Sequence, residues 1–197
     1  MMSERSAAPD LRTRILRASE ALLERDDVGA MSMREVARSA GVSHQAPYHH
    51  FADRESILAA LVEDGFIQLA ARLRAAKDAH GLEPRDALVR AGEAYVEFAF
   101  ERPGLFRVMF RPEMVDLHRF PQASCAGEQA FEELVQLVHH ARPDATPVHT
   151  ALAWSVVHGL ASLIIDGPLR VKIPEQPERD ALMRGVVALF GRLLMLG

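Results

Sequence analysis

Apolar residues recur at three- and four-residue spacing along nearly the whole chain, and alternating apolar–polar runs are absent, which predicts an all-α protein. Leu11, Ile15, Ala18 and Leu22 form the first helical stripe, interrupted at Gly29 to Met31. Ser32-Met33-Arg34-Glu35 opens a second helix as an S-x-x-E capping box, whose two side chains reciprocally satisfy backbone donors. Val36, Ala37 and Ala40 give that helix its buried face, and Gly41 stands where a helix end wants a left-handed residue. Ser43 caps a third short helix ending near Phe51, and Asp53 caps a long fourth one reaching about Ala79. The fourth stripe is Ile57, Leu58, Leu61, Val62, Phe66, Leu69 and Leu73. After the break His80-Gly81-Leu82-Glu83-Pro84, helices are predicted near 84–101, 103–110, 122–141, 147–165 and 177–195, with prolines at the breaks. Asp166-Gly167-Pro168 reads as a turn. The organisation expected is a three-helix module over 1–55, a connecting helix over 56–83, and a larger helical domain over 84–197.

Composition narrows the classes. A chain of 197 residues, 49% of them hydrophobic, buries enough surface to fold without a disulfide staple. Cys125 is the only cysteine, which excludes an internal disulfide and a cysteine-based zinc site. The N-terminal stretch lacks the apolar core of a secretory signal, and no uninterrupted apolar run approaches the roughly 20 residues of a membrane helix. A cytoplasmic chain without a membrane partner is expected. The net charge of −4 argues against non-specific coating of nucleic acid, but leaves room for a small DNA-reading module with its contacts on one face. No G-x-S-x-G elbow, H-E-x-x-H pair or phosphate-binding glycine loop is present, so neither an enzyme nor a cofactor is expected. Nine histidines raise the question of metal. His139 and His140 point about 100° apart on a helix, no two histidines are spaced i,i+4, and His118 beside Glu113 and Asp116 reads as exposed loop. No metal site is expected, and small neutral neighbours leave Cys125 without an activating partner.

The segment 32–54 carries the candidate chemistry. Two short helices around Gly41-Val42-Ser43 have the shape of a helix-turn-helix unit, which lays its second helix in the major groove. Pro47 and Phe51 share the inward face of that helix, while Gln45, Ala46 and His49 face outward, His44 sits at the tip and Tyr48 on the flank. Gln45 suits adenine, Ala46 a thymine methyl and His44 a guanine acceptor, while Tyr48, His49 and Arg54 suit phosphates. A solvated polar face on a structural hairpin is the competing reading.

Taken together, A-G-V-S at 40–43, Y-H-H-F at 48–51 and D-R-E-S-I-L at 53–58 resemble the tetracycline-repressor (TetR) family of bacterial transcription regulators, over roughly residues 10–62. The resemblance implies base-edge contacts from Arg34, His44, Gln45 and Ala46. It implies phosphate contacts from Ser32, Ser43, Tyr48, His49, His50 and Arg54. The sequence departs from the family at Pro47, where a Leu-like residue is usual; the proline deletes a backbone bond and is expected to bend the reading helix.

In the family, residues equivalent to 84–197 sense a small molecule and dimerise. Tyr95, Phe98, Phe106, Met109, Phe110, Met114, Phe120, Phe131, Trp154 and His158 are the bulky or polarisable candidates for lining a largely apolar effector pocket. The same spacings also suit plain core positions. Trp154 and His158 fall one turn apart, with their rings expected to stack. W-x-x-x-H-G at 154–159 with R-P-G-L-F-R-V-M-F at 102–110 resembles a subgroup of TetR-type regulators. Leu152, Val156 and Leu160 with Leu182, Val186, Leu189, Phe190 and Leu193 give the last two long helices more apolar surface than one-sided packing needs, and Leu196 extends it. A two-fold dimer through these helices places half-sites about 34–36 Å apart on a near-palindromic operator. The reading is a homodimeric, DNA-binding repressor released by a small molecule, with the fourth helix linking pocket to head. A regulator without a ligand, an activator, and a histidine-dependent enzyme or metal protein are the alternatives.

Overall fold

The computed structural model describes residues 10–25 and 31–194, all in helices and the turns between them. The interruption expected at Gly29 and Ala30, and Leu196, lie outside the described residues. The first helix, α1 (Leu11–Arg25), turns Ile15, Ala18, Leu22 and Leu23 inward. In α2 (Met33–Ser39) the Ser32 hydroxyl accepts from the Glu35 N–H at 3.2 Å, but the Glu35 carboxylate holds Arg38 at 2.6 Å instead of reaching back. Only half of the expected capping box forms, because a cation one turn on attracts the carboxylate more strongly than a neutral amide.

The third element differs from its expectation. It is a four-residue 3₁₀ turn, Ala46–His49, opened by Gln45 with no side-chain cap, and not an α-helix capped by Ser43. Proline explains it. The Ser43 carbonyl would receive the α-helical bond from residue 47, which has no N–H, so it takes the shorter bond from the Ala46 N–H at 3.0 Å.

Asp53 then caps α3 (Arg54–Lys77), accepting from the Ser56 N–H at 2.8 Å while its own N–H donates to Ser56 Oγ at 3.2 Å. The remaining helices are α4 (Pro84–Glu101), α5 (Pro103–Met109), α6 (Pro121–Ala141), α7 (Pro147–Ile165), α8 (Pro168–Lys172) and α9 (Gln176–Leu194). Five of the six start with proline at the first position and α9 has Pro177 at the second, where the missing N–H costs nothing. The turn expected at 166–168 runs on into α8, which buries no residue and so has no apolar stripe to be read.

The core is continuous from Ile15 to Leu194. Its centre is α3, packed by α4, α5 and α6, with α7 and α9 closing over α4, and α1 reaching α2, α3 and α5. Length and a mean hydropathy of 1.6 would let α7 cross a membrane, contrary to the expectation from uninterrupted runs. Thr150, Ser155, His158 and Ser162 break its runs without lowering the mean much; in the fold it buries Ala153, Val157, Leu160, Ala161 and Ile164. Buried Glu133 of α6 is held between Arg74 (2.7 Å) and Lys77 (3.0 Å) of α3. Burial pushes its carboxyl up, but the two cations outweigh that and hold it below the usual range.

Candidate functional site

Local bonds build the polar face. Gly41 has φ +65°, a left-handed conformation that glycine adopts freely. Its N–H donates to the Arg38 carbonyl at 3.2 Å and the Val42 N–H donates to that of Ala37 at 3.0 Å, the paired bonds of a Schellman end. Arg14 of α1 fastens the corner by donating to the Ala40 carbonyl at 2.8 Å. Inward, Pro47 and Phe51 are buried, and the Arg12 guanidinium lies 5.6 Å from the Phe51 ring centre. Outward, Ser32, Arg34, Ser43, His44, Gln45, Tyr48, His49 and His50 are exposed, Ala46 and Arg54 half-buried. The His44 and Tyr48 rings lie 5.9 Å apart at the tip. Eight of the ten residues expected to touch DNA are thus exposed on this corner.

The corner is tied to the rest of the molecule through α5. The Glu24 carboxylate of α1 accepts from the Gly104 N–H at 2.9 Å and the Leu105 N–H at 3.2 Å, at the positive end of α5. Arg102 adds a bond to Glu20 of α1 and a longer one, at 3.4 Å, to Asp64 of α3. Burial lowers the pKa of Arg102, but the carboxylates of Glu20 and Asp64 outweigh that and raise it, so it stays charged. At Gly104 an added Cβ would stand 2.3 Å from the Leu23 carbonyl oxygen, which leaves room for glycine alone.

Behind α5 lies a cavity of about 610 Å³, large enough for a drug-sized molecule. Phe66, Leu69 and Leu73 of α3 form its floor, with Leu88, Ala91 and Tyr95 of α4 and Met109 and Phe110 around the end of α5. Phe131 of α6 and Trp154 of α7, their rings 6.0 Å apart and partly exposed, stand at its mouth with Ser124, Glu128 and Glu132. Of the expected lining, Tyr95, Met109, Phe110, Phe131 and Trp154 do line it. Phe98 is fully buried elsewhere between the guanidinium groups of Arg72 and Arg102, Phe106 is buried behind Tyr95, and Met114 packs on the core.

Trp154, Tyr95 and His158 form a hydrogen-bonded chain: the Trp154 indole N–H donates to the Tyr95 oxygen at 3.3 Å, and that hydroxyl lies 3.0 Å from His158 Nδ1. The Trp154 and His158 rings do not stack; they meet edge to face at 72°, with centres 6.1 Å apart. Burial pushes the Tyr95 hydroxyl well up and the His158 imidazole down, so both are neutral. Sequence reading missed the floor residues of α3, assigned only to core, and the rim carboxylates. The i,i+4 spacing of Ser124, Glu128 and Glu132 is the signal that could have found the rim.

A second apolar groove runs along α7 and α9, lined by Leu152, Val156, Val186, Leu189 and Leu193. Leu152, Leu189 and Leu193 are about half exposed. Leu182 is half-buried, Leu160 (6% exposed) points into the chain's own core, and Phe190 (9%) is buried between the groove and the cavity and lines both.

A helix-turn-helix corner joined through one long helix to a second helical bundle defines a transcription regulator that carries its reading head and its control domain in one chain. The model of bacterial regulatory proteins of the tetR family matches residues 15–61, and that of the tetracyclin repressor-like C-terminal domain matches residues 88–190. The chain belongs to the tetR family: it is a DNA-binding transcription regulator and not an enzyme. Among solved structures, a protein of unknown function from Rhodococcus sp. RHA1 is 30% identical, over 96% of this chain and 98% of that one, with a TM-score of 0.75. The TetR family regulator PfmR from Thermus thermophilus is 21% identical over 91% and 97%, with a TM-score of 0.71. LfrR from Mycobacterium smegmatis, solved in complex with proflavine, is 18% identical over 90% and 93%, with a TM-score of 0.65. These last two likenesses concern the fold. No curated protein matches the chain in sequence.

Proposed function

We propose that the protein is a cytoplasmic, homodimeric repressor that leaves a near-palindromic operator when a largely apolar small molecule enters the cavity. One observation carries the reading: α5 contributes Met109 to the cavity wall at one end and is held by Glu24 of the reading head at the other. A ligand that favours a displaced α5 also favours a displaced head, and that difference in affinity shifts the population off DNA. The connecting helix α3, which floors the cavity and opens beside the reading corner, supplies a parallel link. That LfrR, similar in fold, was solved in complex with proflavine supports a small-molecule ligand for this chain. Base contacts are assigned to Arg34, His44, Gln45 and Ala46, and phosphate contacts to Ser32, Ser43, Tyr48, His49, His50 and Arg54. The bonded Trp154–Tyr95–His158 chain gives the W-x-x-x-H-G motif a structural basis and favours the subgroup reading.

The groove of α7 and α9 is assigned to the dimer, because a soluble monomer rarely leaves so continuous an apolar face open. Introducing Leu152→Glu with Leu193→Glu should give monomers by light scattering and abolish tight operator binding; a persisting dimer would move the interface elsewhere. The function itself is tested with labelled DNA from upstream of the protein's own gene, at two salt concentrations and against scrambled competitor. Competitor-resistant binding at two chains per site is expected. Equal, weak binding to all sequences there and across genomic fragments would overturn the reading.

A further inference from the structure

We infer that the cavity selects hydrophobic organic cations over neutral and anionic molecules of the same shape; this rests on the cavity being the effector site. Apart from Ser124, Glu128 and Glu132 at the mouth, the polar side chains of the lining are Trp154 and Tyr95, and they are bonded to each other. The Trp154 N–H donates to the Tyr95 oxygen, whose hydroxyl is also bonded to His158 behind the lining, so these two polar side chains offer a ligand little hydrogen bonding. What remains for recognition is aromatic surface and formal charge. Phe66, Tyr95, Phe110, Phe131 and Trp154 present π-faces or edges, and π-faces attract cations.

The charge is of one sign. Glu128 and Glu132 are the charged residues of the lining, one helical turn apart at the mouth, and no Lys or Arg lines it. Glu132 accepts a bond only from the neutral amide of Gln136, at 3.3 Å, and Glu128 makes no ion pair among the described residues. The third carboxylate of this stretch, Glu133, faces away from the cavity and is neutralised by Arg74 and Lys77. Two uncompensated carboxylates beside a cavity lined mostly by apolar and aromatic side chains attract a cation whose apolar body is desolvated inside. They repel a carboxylate or phosphate, which would also lose its hydration with no basic partner in return.

The test uses three aryl probes of different charge: tetraphenylphosphonium and tetraphenylborate, which share a tetrahedral four-phenyl shape, and triphenylphosphine oxide, one ring smaller, as the neutral reference. Calorimetry gives affinities, and the fluorescence of Trp154, the only tryptophan in the chain, reports occupancy of the cavity. The phosphonium should bind roughly five- to tenfold more tightly than the neutral oxide, and the borate more weakly than either. In the Glu128→Gln/Glu132→Gln variant, whose exposed positions leave the fold intact, the cation's advantage over the oxide should shrink to within about twofold while the oxide's own affinity holds. Borate binding as well as phosphonium, or a preference unchanged in the variant, would overturn the charge selectivity while leaving the cavity a ligand site. Silence of Trp154 toward all three would overturn both. Phosphonium bound in the cavity without release of operator DNA would leave the selectivity standing and overturn the effector role.

Discussion

In the reading head, the backbone that carries the polar face is shaped chiefly by backbone bonds between residues at most five apart, Val42 to Ala37, Ala46 to Ser43 and Phe51 to Pro47, with Arg14 pinning the corner to α1. In the cavity domain, each wall comes from a different helix, and residues that share a wall, such as Phe66 and Trp154, lie far apart in sequence. The head is a short, locally determined corner presenting fixed groups. The domain behind it is an assembly of long helices leaving a space that none of them encloses alone. The two regions meet at α1, through Glu20 and Glu24 at the start of α5 and through packing on α3.

That meeting point is where a substitution should do most damage. Gly104→Ala forces a methyl against the Leu23 carbonyl and should lower stability by about 2–4 kcal/mol, read from urea unfolding. A neutral result would mean that α1 and α5 are not in tight contact. Changes in the head proper should separate recognition from stability. Gln45→Ala, at an exposed position, should cost roughly 1–3 kcal/mol of discrimination at one base pair with unfolding unaltered. Competition with operators altered at single positions measures it, and an unaltered base preference would remove Gln45 from the reading set.

Within the domain, Glu133→Gln breaks the buried clasp of α6 on α3 and should cost about 1–2 kcal/mol, because Arg74 remains largely solvated. Since the folded carboxyl titrates below its ordinary value of 4.5, its contribution is present above that pH and is lost as pH falls through the folded value. The variant should therefore lose less stability than the parent in acid. The smallest effect belongs to His158. Its folded pKa is depressed by burial, so the unfolded chain protonates first and stability declines as pH falls below about 6.5. His158→Gln should remove that shallow decline from a series of unfolding curves; an identical decline would place its origin in other groups.

The same contrast governs what the sequence discloses. The cap at Asp53, the glycine at 41 and the starts of α4, α5 and α7 are written in one or two residues each, and the boundaries at 84–101 and 147–165 coincide with the helices found. Pro47 announced a disturbance, but its outcome, a 3₁₀ turn in place of a bent helix, depends on which carbonyl finds a donor. The cavity was legible only in part. Tyr95 and Trp154 were singled out for bulk, yet Phe98 and Phe106 have the same bulk and lie in solid core, because helix rotation decides which aromatic meets a gap. Glu128 and Glu132 resemble any solvated helix face until Phe131 and Trp154 are seen beside them. Leu160 belongs by spacing to the same stripe as Leu152, but packing turns it inward.

The central claim is that cavity and reading head share one equilibrium, and reciprocity tests it most directly. The affinity of tetraphenylphosphonium, or of the oxide if that binds better, is measured from Trp154 fluorescence with and without saturating operator DNA. The account predicts that DNA weakens probe binding by the same factor by which the probe weakens DNA binding. Equal probe affinity in the presence and absence of operator would contradict it.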